Sequence, residues 1–166
     1  MSKSEESKKD IAKALLILMN NNDYDKISVL DIVNKAGLSH MSYYRNFNSK
    51  DEIIIYILDT ITNDFIKKSK IKFTKDNFSD YIEKLFEHLY SYRKLGMLLY
   101  KANLIHYVKN IFDKIFVNKS NNINEEYNYY FISGGLYNIY YYWLINGCKE
   151  SPKELALIFN NIFNNN

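Results

Sequence analysis

The residues best suited to recognition chemistry lie close together in this chain, between Ser28 and Lys50. Arg45 carries a guanidinium group that can donate two hydrogen bonds to O6 and N7 of guanine, the commonest specific contact between a side chain and a base. Ser28 and Ser42 offer hydroxyl groups to phosphate oxygens, and the backbone N–H groups at helix starts can bind the same oxygens. Together these groups indicate a surface that binds nucleic acid.

The segment that must position these groups runs from Ile27 to Lys50 and reads ISVLDIVNKAGLSHMSYYRNFNSK. It predicts one helix over residues 29–35, a turn over residues 36–38 and a second helix over residues 39–47. Gly37 stands where the end of a helix needs a left-handed residue, and Ser39 can cap the next helix with its hydroxyl. Two helices joined by a short turn that contains glycine form the helix-turn-helix layout, whose second helix enters the major groove of DNA.

The composition of the chain favours helices over a turn-rich β-fold. Its 166 residues include 16 Tyr and 10 Phe, but one Pro and five Gly, so helix breakers are few. The net charge is +3, and residues 1–75 hold 13 Lys or Arg against 10 Asp or Glu, whereas residues 76–166 hold 9 of each. A DNA-binding surface needs local positive charge. An excess of this size is also ordinary scatter, so it carries no argument by itself.

Apolar residues at helical spacing predict further helices on both sides of this segment. We expect them over residues 7–19, 50–70, 98–117 and 125–146, with others starting near residues 76 and 152. Residues 125–146 are apolar on more than one side, which predicts burial on more than one face. The predicted fold is all-α, with a three-helix domain over residues 1–50 and a second helical domain over residues 51–166, joined by a linking helix over residues 50–70.

Several classes of function find no support in the sequence. Cys148 is the only cysteine, which excludes an intramolecular disulfide and a cysteine-based zinc site. We find no Gly-rich phosphate loop, no metal-ligand spacing and no nucleophile with a base, so we expect neither an enzyme nor a cofactor. The polar N-terminus and the lack of 18 consecutive apolar residues predict a cytoplasmic protein that does not span a membrane.

The helix-turn-helix segment resembles the TetR/AcrR family of transcriptional regulators over roughly residues 8–60. The resemblance rests on a set of residues in order and spacing: Ile27-Ser28-Val29, Asp31-Ile32, Ala36-Gly37-Leu38-Ser39, Tyr44, Phe47 and Ser49-Lys50. A weaker resemblance, to a C-terminal domain of such regulators common in Gram-positive bacteria, rests on Tyr130–Leu136, Trp143-Leu144, Gly147 and Glu150–Ala156.

The resemblance implies roles for individual residues. It implies base contact near His40 and Met41, groove or phosphate contact from Tyr44 and Arg45, and phosphate contact from Lys50. Tyr43 holds a position that is usually apolar in the family, so we expect packing combined with contact to the DNA backbone. Leu30 replaces a polar base-reading residue of some relatives, which puts direct readout from it in doubt. The predicted DNA-binding residues are Ser28, Ser39, His40, Met41, Ser42, Tyr43, Tyr44, Arg45 and Lys50.

The aromatic residues of the second domain suggest a pocket for a small organic effector, because tyrosine combines an apolar ring with a polar tip. Core packing between the helices explains the same residues equally simply, and both alternatives stay open. The candidate lining residues are Tyr81, Phe86, Tyr100, Tyr107, Tyr137 and Tyr141.

The resemblance further implies a homodimer joined by a four-helix bundle of the last two helices of each subunit. Gly134 and Gly135 would permit close approach of the two backbones. A dimer also suits a pseudo-palindromic operator, since paired recognition helices match paired half-sites. The candidate interface residues are Leu136, Tyr140, Trp143, Leu155, Ile158, Phe159 and Ile162.

These observations predict a DNA-binding transcriptional regulator, most simply a repressor that a small-molecule effector releases from double-stranded DNA. The alternative is a coactivator or protein-interaction module that keeps the fold without binding DNA. An enzyme is the least supported of the three.

Overall fold

A computed structural model describes residues 3–69, 74, 77–117 and 122–164 of the chain. Over these residues the fold consists of helices and contains no strand, so the predicted all-α class is confirmed. Two 3₁₀ turns, Tyr24–Lys26 and Ile105–Val108, accompany the α-helices. The α-helices are α1 Lys3–Met19, α2 Val29–Ala36, α3 His40–Asn46, α4 Lys50–Ser69, α5 Phe78–Ser91, α6 Arg93–Lys101, α7 Lys109–Phe116, α8 Ile123–Ile145 and α9 Pro152–Asn164. None of the helices within these described ranges is long and apolar enough to cross a membrane.

The chain divides into two compact units, Met1–Thr60 and Ile61–Asn166. This boundary falls within α4, later than the boundary predicted at residue 50. The first half of α4 packs in the first unit, where the ring of Tyr56 meets that of Phe47 at 5.7 Å and its hydroxyl donates to Glu5 on α1 at 2.8 Å. Burial and this carboxylate raise the pKa of Tyr56 to about 12.

The core of the first unit forms where α1, α2, α3 and the start of α4 meet. Apolar stripes on these helices turn inward and lose water contact, which is the main favourable contribution to folding. The side chains that are buried most completely in it are Ile11, Leu15, Ile32, Val33, Tyr43, Ile53 and Ile54.

The second unit is built around aromatic residues between α5, α8 and α9. The ring of Phe86 lies 5.5 Å from that of Trp143 and 5.4 Å from that of Phe159, and all three side chains are buried. Helix α7 is tied to α8 by a polar contact as well, because Asp113 accepts a hydrogen bond from Ser133 of α8 at 2.5 Å. Asp113 also accepts from Lys109, one turn earlier on α7, at 2.6 Å.

The single helix predicted over residues 98–117 is wrong, because the chain breaks between α6 and α7. Asn103 takes a left-handed conformation with φ of 59°, and the N–H of Leu104 bonds to the carbonyl of Leu99 at 2.8 Å. This arrangement is a common way to end a helix, and asparagine tolerates it better than most residues other than glycine. Neither Gly nor Pro lies at this break, and the apolar residues keep helical spacing across it. The sequence therefore predicted one helix where the structure has two.

Candidate nucleic-acid interface

The start of α2 is held by a reciprocal pair of contacts between Ser28 and Asp31. The N–H of Asp31 donates to the Ser28 hydroxyl at 3.1 Å, and the N–H of Ser28 donates to the Asp31 carboxylate at 2.8 Å. The Ser28 hydroxyl also donates to this carboxylate at 2.6 Å, and these bonds hold the pKa of Asp31 below its usual value. The hydroxyl predicted to bind a phosphate is therefore already bonded within the capping box.

The turn between α2 and α3 has the conformation that the sequence predicts. Gly37 has φ of 67°, and the N–H of Leu38 returns to the carbonyl of Val33 at 2.9 Å. No atom lies within 4 Å of a Cβ added to Gly37, so the backbone conformation, rather than space, calls for glycine here. Ser39 then caps α3, since its hydroxyl accepts from the N–H of Ser42 at 3.2 Å.

One face of α3 is exposed and carries most of the predicted contact residues. Met41 is 71% exposed and Tyr44 is 59% exposed, and His40 and Arg45 are exposed beside them. The rings of His40 and Tyr44 lie 6.5 Å apart. There is no acidic residue on α3, so nothing on this helix opposes the approach of a polyanion.

Tyr43 lies on the buried face of α3, which corrects part of its predicted role. Its side chain is fully buried, its ring meets those of Tyr44 at 5.3 Å and Phe47 at 6.4 Å, and burial raises its pKa. The packing role predicted for Tyr43 fits this position, whereas the predicted contact with the DNA backbone does not. Its hydroxyl has no hydrogen-bond partner among the residues that the structure describes.

Lys50 makes contacts within the first unit that the sequence did not predict. Its Nζ donates to the carbonyl oxygens of Tyr24 at 2.8 Å and Ile27 at 2.7 Å, and it lies 4.5 Å from the centre of the Tyr24 ring. The Tyr24 hydroxyl donates in turn to Asp51 at 2.5 Å. Two of the three ammonium protons thus hold the turn that precedes α2. These bonds give Lys50 a positioning role, and its contact with a phosphate stays a prediction.

Leu30, for which the sequence put direct base readout in doubt, is exposed on α2. It lies in the first turn of α2, two residues after the Ser28 cap, and is 51% exposed. Leu30 lies on a different face of α2 from the buried residues Ile32 and Val33. Counting along the helix from the Ser28 cap could have predicted that it is exposed.

The six candidate ligand-lining residues of the second unit differ in their surroundings. Tyr81 and Phe86 are buried among other rings, in the arrangement of core residues. Tyr100 and Tyr141 face each other with ring centres 5.9 Å apart, and Tyr137 meets Phe112 at 6.2 Å. The ring of Tyr107 lies 4.3 Å from that of the neighbouring His106, tilted by 37°.

Most of the candidate dimer residues are not on the surface of the chain. Five of the seven are buried within their own subunit, where they hold α8 and α9 against neighbouring helices; these are Leu136, Tyr140, Trp143, Leu155 and Phe159. Trp143 donates from Nε1 to the carbonyl of Glu150 at 2.9 Å. Ile158 and Ile162 alone among the seven are exposed. Because α8 is apolar nearly all round, its sequence does not show which face turns inward.

The outer face of α8 and α9 forms an open groove of about 330 Å³. Its apolar wall continues into large exposed side chains of α8, with Phe131 72% exposed and Tyr142 66% exposed. Gly135 lies in the middle of this face. The residues that line the groove are Asn128, Phe131, Gly135, Leu136, Ile139, Phe159 and Ile162.

A short exposed helix held on a capped, glycine-containing turn places this chain in the helix-turn-helix class of proteins. The family model described as "Bacterial regulatory proteins, tetR family" matches residues 9–57, and one described as "Transcriptional regulator C-terminal region" matches residues 76–165. The chain belongs to the TetR family of transcriptional regulators.

A relative at moderate similarity is the HTH-type dhaKLM operon transcriptional activator DhaS of Lactococcus lactis subsp. lactis (strain IL1403). It is 38% identical over 65 residues, which cover 39% of this chain and 33% of the relative. The chain therefore matches only a third of the length of that protein.

Proposed function

We propose that this chain regulates transcription by binding a pseudo-palindromic DNA operator as a homodimer, and that a small molecule bound to the second unit releases it. The observation that carries the proposal is the exposed face of α3, where Met41, Tyr44 and Arg45 project from a helix held by two caps and a left-handed glycine. Such a helix fits the major groove, and a dimer presents two of them to half-sites about one helical turn apart.

Selection of duplexes from a random library with the full chain tests DNA binding directly. We expect one enriched pseudo-palindrome whose affinity falls steeply as salt rises, because bound phosphates release their counterions. Arg45→Ala should lower operator affinity by about 1–3 kcal/mol and relax specificity at one position. Lys149→Ala, which removes an exposed cation of the second unit, is the matched control and should leave binding unchanged.

Failure to enrich any duplex would contradict the proposal. The alternative is then a coactivator that uses the same face for a protein, and recovery of a stoichiometric protein partner from a pull-down would support it. The two outcomes differ in the nature of the bound molecule, so one preparation of protein distinguishes them.

The homodimer interface that fits this fold is the exposed face of α8 and α9, which carries exposed Phe131 and Tyr142 on α8 and exposed Ile158 and Ile162 on α9. Covering such exposed apolar side chains with another protein surface is favourable, because it removes apolar area from water. Phe131→Asp should convert a dimer to a monomer in sedimentation velocity and should weaken operator binding in parallel. Ile66→Asp, at an exposed isoleucine of α4, is the control and should remain dimeric. A monomeric wild-type chain would contradict this interface.

The sign of regulation that we propose is repression, which is typical of the family. The partial relative DhaS is described as an activator, so the sign needs its own experiment. A reporter behind the selected operator should be silenced by the chain and restored by the effector. Higher reporter output with the chain than without it would show activation instead.

The effector is expected to bind the second unit, where half-exposed tyrosines such as Tyr137 and Tyr141 combine apolar rings with hydroxyl groups. A screen of small organic molecules by thermal shift should find compounds that stabilise the chain. An effector must also weaken operator binding, since coupling requires different affinity for two states. A compound that binds and leaves operator affinity unchanged is not the effector.

A further inference from the structure

Large apolar side chains are exposed on the predicted DNA-facing surface, where polar groups would ordinarily be expected. Leu30 stands on the first turn of α2, Met41 on the first turn of α3, and Tyr44 on its following turn. Exposed apolar residues scattered singly over a surface need no explanation. These three instead lie within the helix-turn-helix segment, and two of them share one face of the helix that enters the groove.

The polar groups of α3 that could read adenine are already used inside the protein. Asparagine and glutamine are the side chains that pair with adenine, and α3 contains one of them, Asn46. Its Nδ2 donates to the carbonyl of Ser42 at 2.7 Å, and its Oδ1 accepts from the hydroxyl of Ser4 at 2.7 Å. The amide is therefore bonded at both ends, through its oxygen to α1 and through its nitrogen within α3, which leaves base readout to other residues.

The edges of the bases in the major groove offer one apolar group, the C5 methyl of thymine. An apolar side chain can thus select thymine, whereas it gains nothing from the polar edges of the other bases. Methionine suits this contact because its unbranched thioether adapts to irregular gaps. Resting on the proposed binding of duplex DNA, we infer that Met41 and Leu30 select thymines in each half-site through their methyl groups.

Replacing thymine by deoxyuridine in the selected operator tests this inference. The replacement removes the methyl group and leaves every hydrogen-bonding atom of the base in place. Burial of one methyl is worth about 0.8 kcal/mol, so each contacted thymine should lose about fourfold in affinity when replaced. Fluorescence anisotropy with one replacement at a time, in both half-sites, locates the contacted positions.

Variants assign the contacted methyls to side chains. Met41→Ala should bind the thymine and deoxyuridine duplexes equally at one position, and Leu30→Ala should do so at another. Met41→Gln should change the preferred base at its position from thymine to adenine, because a glutamine amide pairs with adenine N6 and N7. Ile17→Ala, at an exposed apolar residue of α1, is the control and should keep the sensitivity of the wild type at every position.

Equal affinity of the wild type for thymine and deoxyuridine at every position would overturn the inference while leaving DNA binding intact. Full sensitivity retained in both Met41→Ala and Leu30→Ala would overturn the assignment to these two residues. Failure to enrich any duplex overturns the proposed function itself and is recognised before deoxyuridine is introduced. The wild-type series needs no variant, so it decides the main point even where a substitution unfolds the chain.

Discussion

The two units of this protein reach a defined structure by different means. In the first unit, single residues fix the ends of the helices that flank the turn: Ser28 caps the start of α2, Gly37 ends α2 and Ser39 caps the start of α3. In the second unit, α8 is apolar nearly all round, and its packing against other helices decides which residues are buried. The ends of the recognition helix are therefore fixed by local contacts, whereas the face that α8 exposes is decided by contacts between distant residues.

The largest expected effect tests whether packing governs the second unit. Trp143→Ala removes a buried ring and its hydrogen bond to Glu150, and we expect a loss of about 3–5 kcal/mol in the free energy of unfolding. Tyr142→Ala, at the exposed neighbour, should change it by less than about 0.5 kcal/mol. Urea unfolding of both variants in the Phe131→Asp background keeps subunit association out of the measurement. Similar losses in the two would contradict the assigned orientation of α8.

A smaller effect is expected at Gly96, where α6 approaches α8 closely. A Cβ added to Gly96 would lie 2.5 Å from the hydroxyl of Tyr140 and 3.1 Å from Leu144. Gly96→Ala should therefore destabilise the chain by about 1–3 kcal/mol through overpacking. Adding Tyr140→Phe removes the atom in closest approach and should recover part of the loss. A double variant with strictly additive losses would show that the contact is not the cause.

Gly37 gives the corresponding test of local control in the first unit. It has open space around its Cβ position but a φ of 67°, so Gly37→Ala should cost about 1–2 kcal/mol through backbone strain alone. Gly37→Asn should cost less, because asparagine tolerates the left-handed region. Thermal unfolding ranks the three proteins. Equal stability of the alanine and asparagine variants would indicate a cause other than φ.

Lys50 separates stability from DNA binding. Lys50→Met keeps the apolar stem and removes the hydrogen bonds to Tyr24 and Ile27, so we expect a loss of about 1 kcal/mol in unfolding free energy. The salt dependence of operator binding should stay unchanged, whereas the loss of a phosphate contact would reduce its slope by about one. A slope reduced by Lys50→Met would support the phosphate contact first predicted for this residue.

The smallest effect is expected at Tyr43, whose buried hydroxyl lacks a partner within the described part of the chain. Tyr43→Phe should leave stability unchanged or raise it by about 0.5 kcal/mol, since no hydrogen bond is lost. Tyr56→Phe is the control, because its hydroxyl bonds to Glu5 and its loss should destabilise by about 1 kcal/mol. A clear loss in Tyr43→Phe would reveal a partner for that hydroxyl.

Much of the first unit could be predicted because its signals act over three or four residues. The cap at Ser28 links it to Asp31, and the cap at Ser39 links it to Ser42, so both can be recognised from spacing. The opposite orientations of Tyr43 and Tyr44 depend instead on the surrounding helices. Likewise, the hydrogen bonds of Lys50 to Tyr24 and Ile27 join residues far apart in the sequence, and no local sequence pattern predicts them.

The sequence by itself determined the all-α class, the helix-turn-helix and the position of its recognition helix, because caps and a left-handed glycine act within a single turn of the chain. Only the tertiary structure decided which face of α8 is buried, where α6 ends, and that Lys50 supports the turn before α2. The buried face of α8 depends on contacts between distant residues, whose energy is spread over many small apolar terms rather than marked by one residue type. Helix α6 ends at a left-handed asparagine without Gly or Pro, and Lys50 bonds to residues far away in the sequence. For this reason the exposed face of α3 could be predicted, whereas five of the seven residues predicted for the dimer interface are buried within the chain.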